Sequence, residues 1–132
     1  MIREATQKDI AQITALMQSI PGFWDEKWRP DVVRRGILSA DGLTFVWEDN
    51  QHIGGFVCAH DVGFRAYLSE LVVAEDLQGQ HIGQQLLARV EQALIERGCS
   101  LIIADVWKEA EGFYRRCGWS PPDIIFLRKK LT

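Results

Sequence analysis

The sequence has no apolar run near the roughly 20 residues that a membrane span requires, so no membrane association is expected. It has no basic excess. Fifteen Lys and Arg against 18 Asp and Glu leave a net charge of −3, which argues against a nucleic-acid partner, whose grip rests on a basic surface. The one basic cluster, "LRKKL" near the C-terminus, has the size of a solvated strand end. Cysteines are few and odd in number: Cys58, Cys99 and Cys117, far apart and each in an apolar setting. They read as reduced, buried thiols of a cytoplasmic protein. For a nucleophilic Cys117 the only neighbouring support is Arg115 and Arg116. The opening "MIREATQKDI" carries acids and lacks an apolar centre, so no signal peptide is expected. Repeats, low-complexity segments and linkers are lacking too.

What is there suits one domain over residues 1–132. Hydrophobic residues make up 47% and charged ones 25%, and five Trp with six Phe exclude a disordered chain. "IREA" reads as a first strand, after which Thr6 and Asp9 form a capping-box pattern. Ile10, Ile13, Leu16, Met17 and Ile20 recur at helical spacing until Pro21-Gly22. Pro30 at a first-turn position and Asp31 begin a second helix that ends near Ala40. "LTFVWED" and "IGGFVCAHD" are paired strands around a "DNQH" turn with Asn50 at its tip, and Gly54-Gly55 marks a bulge or a close backbone approach. "RAYLSELVVA" is a further strand. A helix follows from Ile82 to Arg97, with Ile82, Leu86, Leu87, Val90 and Leu94 as its buried stripe and Gly98 as its stop. "LIIADV" looks like a strand covered on both faces. "EAEGFYRRC" is a short helix and "DIIFLRKKL" a last strand. This order predicts a mixed α/β sheet with helices on both faces and a right-handed βαβ crossover near the end.

"VVAEDLQGQHIGQQLLARV" joins strand to helix through a polar turn containing Gly79 and Gly83. The first turn of a helix leaves backbone N–H groups unpartnered at the positive end of its dipole, where a phosphate fits. Gln78, Gly79, Gln80, His81, Ile82 and Gly83 are placed to supply those N–H groups. The stretch lacks the Gly-Lys-Ser/Thr of a Walker loop and the three glycines of a dinucleotide fingerprint. A bare G-x-x-x-G leaves a ligand loop and a plain turn both open.

These stretches, with "GFYRRCGW" some thirty residues on, resemble the GNAT superfamily of acyl-CoA N-acyltransferases. Val73, Gln78 and Gly83 match the central family motif, and Gly79 fits its Arg/Gln-Gly start. Ala110, Phe113, Tyr114, Gly118 and Trp119 match the later one. His81 stands where the family usually has glycine, and Trp107 where it often has asparagine. The start "IREAT…DI" is similar as well, so the resemblance covers nearly the whole chain. It implies a mostly antiparallel mixed sheet whose central strand pair splays apart. It also implies acetyl-CoA as co-substrate, with its pyrophosphate on the amides of residues 78–84, Gln84 included. A backbone near helical φ/ψ at His81 would leave only its N–H engaged and its ring in solvent.

Acetyl transfer from a thioester to an amine needs a donor for the carbonyl oxygen, a base for the ammonium and an acid for the thiolate. The resemblance assigns the donors to the backbone of Leu71, Val72 and Val73, on a splayed strand that also offers unpaired groups to the pantetheine arm. It assigns the acid to Tyr114, the alternative being a tyrosine packed beside Phe113. Glu70, in "SELVV", is the first candidate base, since apolar neighbours would raise its pKa. The alternatives are a carboxylate paired with an arginine such as Arg65, or a water chain. Asp105 and His60 rank below it.

Cys58 and His60 share a strand face, but nothing completes a tetrahedral metal site, so no metal is expected. The amine acceptor is expected between the Phe23–Trp28 loop and the hairpin, with Phe23, Trp24 and Trp28 as apolar walls and Asp25 and Glu26 drawing a cation. Small-molecule and protein amines both remain open as acceptors, as do monomer and homodimer. A second class also stands: a non-catalytic acyl-CoA-binding or partner-binding domain on the same scaffold.

Overall fold

A computed structural model of the chain describes residues 1–132. Strand β1 (Ile2–Glu4) leads into the Thr6 cap, whose backbone N–H donates to Asp9 Oδ2 at 2.8 Å while Lys8 N–H donates to Thr6 Oγ1. A 3-10 turn then runs into helix α1 (Ile10–Ser19). Arg3 reaches both Asp9 and Glu48, at 2.8 and 3.0 Å, and fastens β1 to this cap. Helix α2 (Val32–Ala40) starts after Asp31. Pro30 therefore stands outside the helix rather than in its first turn, and Asp31 turns its carboxylate to Arg34 and Arg35 instead of capping.

Strands β2 (Thr44–Asp49) and β3 (His52–Asp61) form the expected hairpin. Asn50 and Gln51 both have positive φ, 50° and 63°, the type I′ geometry whose twist matches the strands. Gly54 is the extra residue of a bulge, since Trp47 pairs with Gly55 and Glu48 with Ile53. A Cβ on Gly55 would stand 2.8 Å from Leu86 Cδ1, so the close approach is real as well.

Strand β4 (Ala66–Val73), helix α3 (Ile82–Glu96) and strand β5 (Ile102–Ile103) form the βαβ unit, with β5 parallel to β4. A 3-10 turn and helix α4 (Glu111–Arg116) follow. The sheet order is β1-β2-β3-β4-β5, antiparallel except for the last pair. Helix α3 covers one face through Ile82, Leu86, Leu87, Val90 and Leu94, all buried. Helices α1 and α2 cover the other through Ile13, Leu16, Met17, Val33 and Ile37.

Three further expectations fail. "LIIADV" holds only two residues of strand, and Leu101, Ile103 and Val106 are exposed. "DIIFLRKKL" forms no strand and is exposed throughout. A strand needs a neighbour to bond with, and β5 lacks one on its outer side. Cysteine burial is the third: Cys58 is buried, whereas Cys99 and Cys117 keep some exposure, and all three are free.

Candidate functional site

Strand β4 parts from β5 early. The two pair only at Ala66–Ile102 and Tyr67–Ile103, so residues 68–73 have no partner in β5. A second irregularity lies opposite. Cys58 pairs with Glu70 and Ala59 with Leu68, which makes Ser69 an extra residue on β4. Regular alternation would put Leu68 and Glu70 on one face. The bulge turns Glu70 to the other face, the one that carries Cys58 and His60.

That face holds a cavity of about 840 Å³ between α2, the Trp28 region, β3 and β4, within the size range of small-molecule sites. Glu70, Ser69, His60 and Cys58 line its strand side, and Trp28, Arg29, Arg34 and Arg35 its helix side. His60 Nε2 lies 2.8 Å from Ser69 Oγ, and its Nδ1 lies 3.0 Å from Ser39 Oγ. Burial lowers the His60 pKa, which favours a neutral ring at pH 7. Burial pushes the Cys58 thiol up to about 12, so it stays protonated, and it points to the Gly36 carbonyl oxygen. Burial first and the charge of Asp105 second push Glu70 up to about 7. No arginine pairs with Glu70: Arg65 forms no ion pair, and the five ion pairs lie elsewhere. The arginine pairing weighed for Glu70 is therefore not formed. Asp105 accepts a 2.5 Å hydrogen bond from the Tyr67 hydroxyl.

Tyr114 stands half-buried on α4 between Phe113 and Trp119, edge-on to both at 5.2 and 5.3 Å. Burial, then the charges of Cys117 and Glu70, raise its phenol to about 12. It is thus packed and also close enough to Glu70 to feel its charge. Trp119 donates to Glu91 and ties α4 to α3.

The glycine loop opens α3 without a side-chain cap. The first backbone bond runs from Gln85 N–H to the His81 carbonyl, so Ile82, Gly83 and Gln84 have N–H groups with no partner inside the helix. Gln78 holds the loop by donating from its side-chain amide to the Val73 carbonyl. His81 overturns one expectation. Its φ is 65° and ψ 14°, left-handed rather than helical. A glycine reaches that region freely and a histidine does not, which is a backbone reason for glycine there. The ring is exposed, as expected, and sits 3.2 Å from Gln84 Oε1. A Cβ on Gly83 would make ordinary contacts with Phe113 at 3.4 Å and Val73 at 3.6 Å, so packing within the fold does not itself demand glycine there.

The three acceptor-loop aromatics separate. Trp28 lines the cavity with Trp24 edge-on to it at 5.2 Å, while Phe23 packs against Trp107 at 5.7 Å. The hairpin turn is not a wall: Gln12 bonds to Gln51 and Ile53 and keeps it beside α1. Asp25 and Glu26 are exposed and absent from the lining. Helix α2 takes the hairpin's place, and sequence reading missed its residues. Three arginines in "WRPDVVRRG" beside a tryptophan were the available signal. Tyr114 and the 78–84 loop lie outside the cavity lining, beyond the β4 strand that carries Glu70.

A parallel pair that parts after two residues, a helix start without a side-chain cap after β4 and an open cavity ending on β4 define an α/β fold whose loops and cleft meet at one strand. The model of the acetyltransferase (GNAT) family matches residues 10–119, and the chain belongs to that family. It is 25% identical over 120 residues to the glucosamine 6-phosphate N-acetyltransferase of Candida albicans, covering 89% of this chain and 72% of that protein. Among solved structures, the glucosamine-6-phosphate N-acetyltransferase of Arabidopsis thaliana superposes with a TM-score of 0.75 at 18% identity, over 98% of this chain and 97% of that one. The paiA N-acetyltransferase of Thermoplasma acidophilum, solved with coenzyme A, does so with 0.77 at 16% identity, over 95% and 92%. No helix here is long and apolar enough to cross a membrane.

Proposed function

We propose that this chain transfers the acetyl group of acetyl-CoA directly to a primary amine held in the α2–β4 cavity. The carrying observation is Glu70. A bulge aims it into the cavity, and burial with Asp105 brings its pKa to about 7, where a carboxylate is a usable base at neutral pH. In this reading Glu70 takes a proton from the ammonium. The amine nitrogen attacks the thioester carbon, the N–C bond forms and the C–S bond breaks. Tyr114, held protonated, gives its proton to the departing thiolate, and the nitrogen's second proton returns to the phenol, which leaves the amide, the CoA thiol and a protonated Glu70 that releases its proton to solvent. The backbone of Leu71, Val72 and Val73, unpaired toward β5, would hold the carbonyl oxygen and the pantetheine arm. The N–H groups of residues 78–84 would hold the pyrophosphate.

The cavity also suggests what the amine carries. Arg34 and Arg35 are engaged by Asp31, whereas Arg29 forms no ion pair. A guanidinium outside any ion pair and a carboxylate lining the same cavity suit an acceptor with an amine at one end and an anion at the other. The relatives named for glucosamine 6-phosphate act, by those names, on such a molecule, which supports this choice. The test is release of CoA thiol over a panel of amines, each sugar amine offered with and without its phosphate. Turnover that is faster with the phosphate, and loses that advantage in Arg29→Ala, is expected. Bound acetyl-CoA without turnover on any amine would favour the non-catalytic alternative.

A further inference from the structure

The bulge that aims Glu70 carries a clamp of its own. Ser69 is the extra residue on β4. Such a residue stands outside the regular ladder, so its place depends on the contacts it makes instead. Without it, alternation from Leu68 would turn Glu70 toward α3. A one-residue slip in register reverses every side chain beyond it, and the direction of Glu70 therefore hangs on Ser69 staying out of the ladder.

The Ser69 side chain is held on two sides. Its Oγ lies 3.2 Å from the Cys58 carbonyl oxygen and 2.8 Å from His60 Nε2. The His60 ring is fixed in turn from α2, where Ser39 Oγ lies 3.0 Å from Nδ1. One polar chain thus runs from α2 through β3 to the extra residue of β4, along the cavity that Ser39, His60, Ser69 and Glu70 all line. Either ring tautomer completes it, since each serine hydroxyl can donate or accept. Both ring nitrogens are engaged by serines, which leaves neither free to take a proton from an amine.

We propose that His60 is a positioning residue of the acetyl transfer: its bond to Ser69 holds the β4 bulge in place and so keeps Glu70 turned into the cavity. Its catalytic meaning rests on the base role proposed above for Glu70. The two nitrogens have separate duties, Nε2 on Ser69 and Nδ1 on Ser39. A side-chain amide can donate and accept. That of asparagine reaches about as far as Nδ1, and that of glutamine about as far as Nε2. His60→Asn therefore keeps the tie to α2 and loses Ser69, whereas His60→Gln keeps Ser69 and loses the tie to α2.

The test follows Glu70 itself. Protein labelled with 13C at its glutamate carboxyls is titrated by NMR, and the Glu70 signal is assigned by its absence from Glu70→Gln. In the wild type it should titrate at about 7. In His60→Asn and in Ser69→Ala it should fall toward the ordinary carboxylate value, because a carboxyl no longer held can turn to water. Cys58, Tyr67, Asp105 and Tyr114 share the field of Glu70, and Arg29, Arg34 and Arg35 line the helix side; these variants change none of them. Loss of a chargeable ring would by itself raise the Glu70 value, so a fall is not a charge effect of the substitution. In the same two variants kcat should drop about 10²-fold, the cost of a misplaced reacting group, with the KM for acetyl-CoA unchanged. His60→Gln should restore both the titration and kcat.

A Glu70 titration still at about 7 in Ser69→Ala or in folded His60→Asn overturns the clamp. So does a His60→Gln protein that behaves like His60→Asn, which would make ring volume the operative property. If His60→Asn does not fold, Ser69→Ala, which leaves the ring in place, decides alone. A titration that moves while kcat does not, together with a full-rate Glu70→Gln, is the separate failure of the proposed base, and it removes the positioning role with it.

Discussion

Replacing Glu70 by glutamine should stabilise the fold and slow the enzyme within one pH window. Burial and then Asp105 lift this carboxyl from 4.5 to about 7 in the folded chain, whereas in the unfolded chain it titrates near its ordinary value. Between pH 4.5 and 7 the folded state keeps a proton that the unfolded state has released. The stability contributed by this group is therefore present at low pH and lost as pH rises through that window. The gap corresponds to about 3 kcal/mol once both states are ionised, and the residual exposure of Glu70 trims it to about 2–3 kcal/mol. Glutamine carries no charge at any pH. Glu70→Gln should thus match the wild type below pH 4.5 and exceed it by about 2–3 kcal/mol above pH 7, which moves a urea midpoint up by about 1–2 M. Activity goes the other way. Wild-type kcat/KM should rise with an apparent pKa near 7 and fall by about 10²–10⁴ in the variant, the deficit closing as the amine approaches its own pKa of about 10.4. A stability difference independent of pH would show that Glu70 serves packing. A full-rate variant would take it out of the proton transfer.

Tyr114→Phe should lower turnover by about 10²–10⁴ while acetyl-CoA affinity, measured by calorimetry, stays nearly constant; an unchanged rate where chemistry limits turnover would return Tyr114 to packing between Phe113 and Trp119. His81→Gly should raise stability by about 0.5–1 kcal/mol, because the relief of a left-handed φ outweighs the added freedom of the unfolded chain; a lower melting temperature would contradict the strain. Gly55→Ala should cost about 1–3 kcal/mol by pressing Leu86 and Ile82, and a wild-type denaturation midpoint would show that α3 shifts freely.

Much of the fold was legible because its signals are local. The Thr6–Asp9 cap, the stripe from Ile82 to Leu94 and the turn at Asn50 each depend on residues within one element. Glu70 was legible as a residue, but its direction was not. Alternation from Leu68 aims it at α3, and only the unpaired Ser69 reverses that, through a register no single strand encodes. His81 was visible as a departure from a motif, yet its positive φ follows from how β4 is joined to α3. Arg34 and Arg35 received no role from the sequence, because only the sheet beneath α2 makes their helix a cavity wall. "DIIFLRKKL" has the composition of a strand, but composition does not supply a neighbour to pair with, and none is found.

The central claim is acetyl transfer from acetyl-CoA to an amine in the α2–β4 cavity. The most direct measurement follows acetyl-CoA labelled with 13C in its acetyl group and counts free CoA and labelled acetamide together by mass spectrometry, with phosphate-bearing and plain amines as acceptors. Equal amounts of both products are predicted, with both abolished or sharply reduced by Glu70→Gln. Acetyl-CoA that binds yet yields no acetamide on any amine, or CoA released without acetylated amine, would contradict the account.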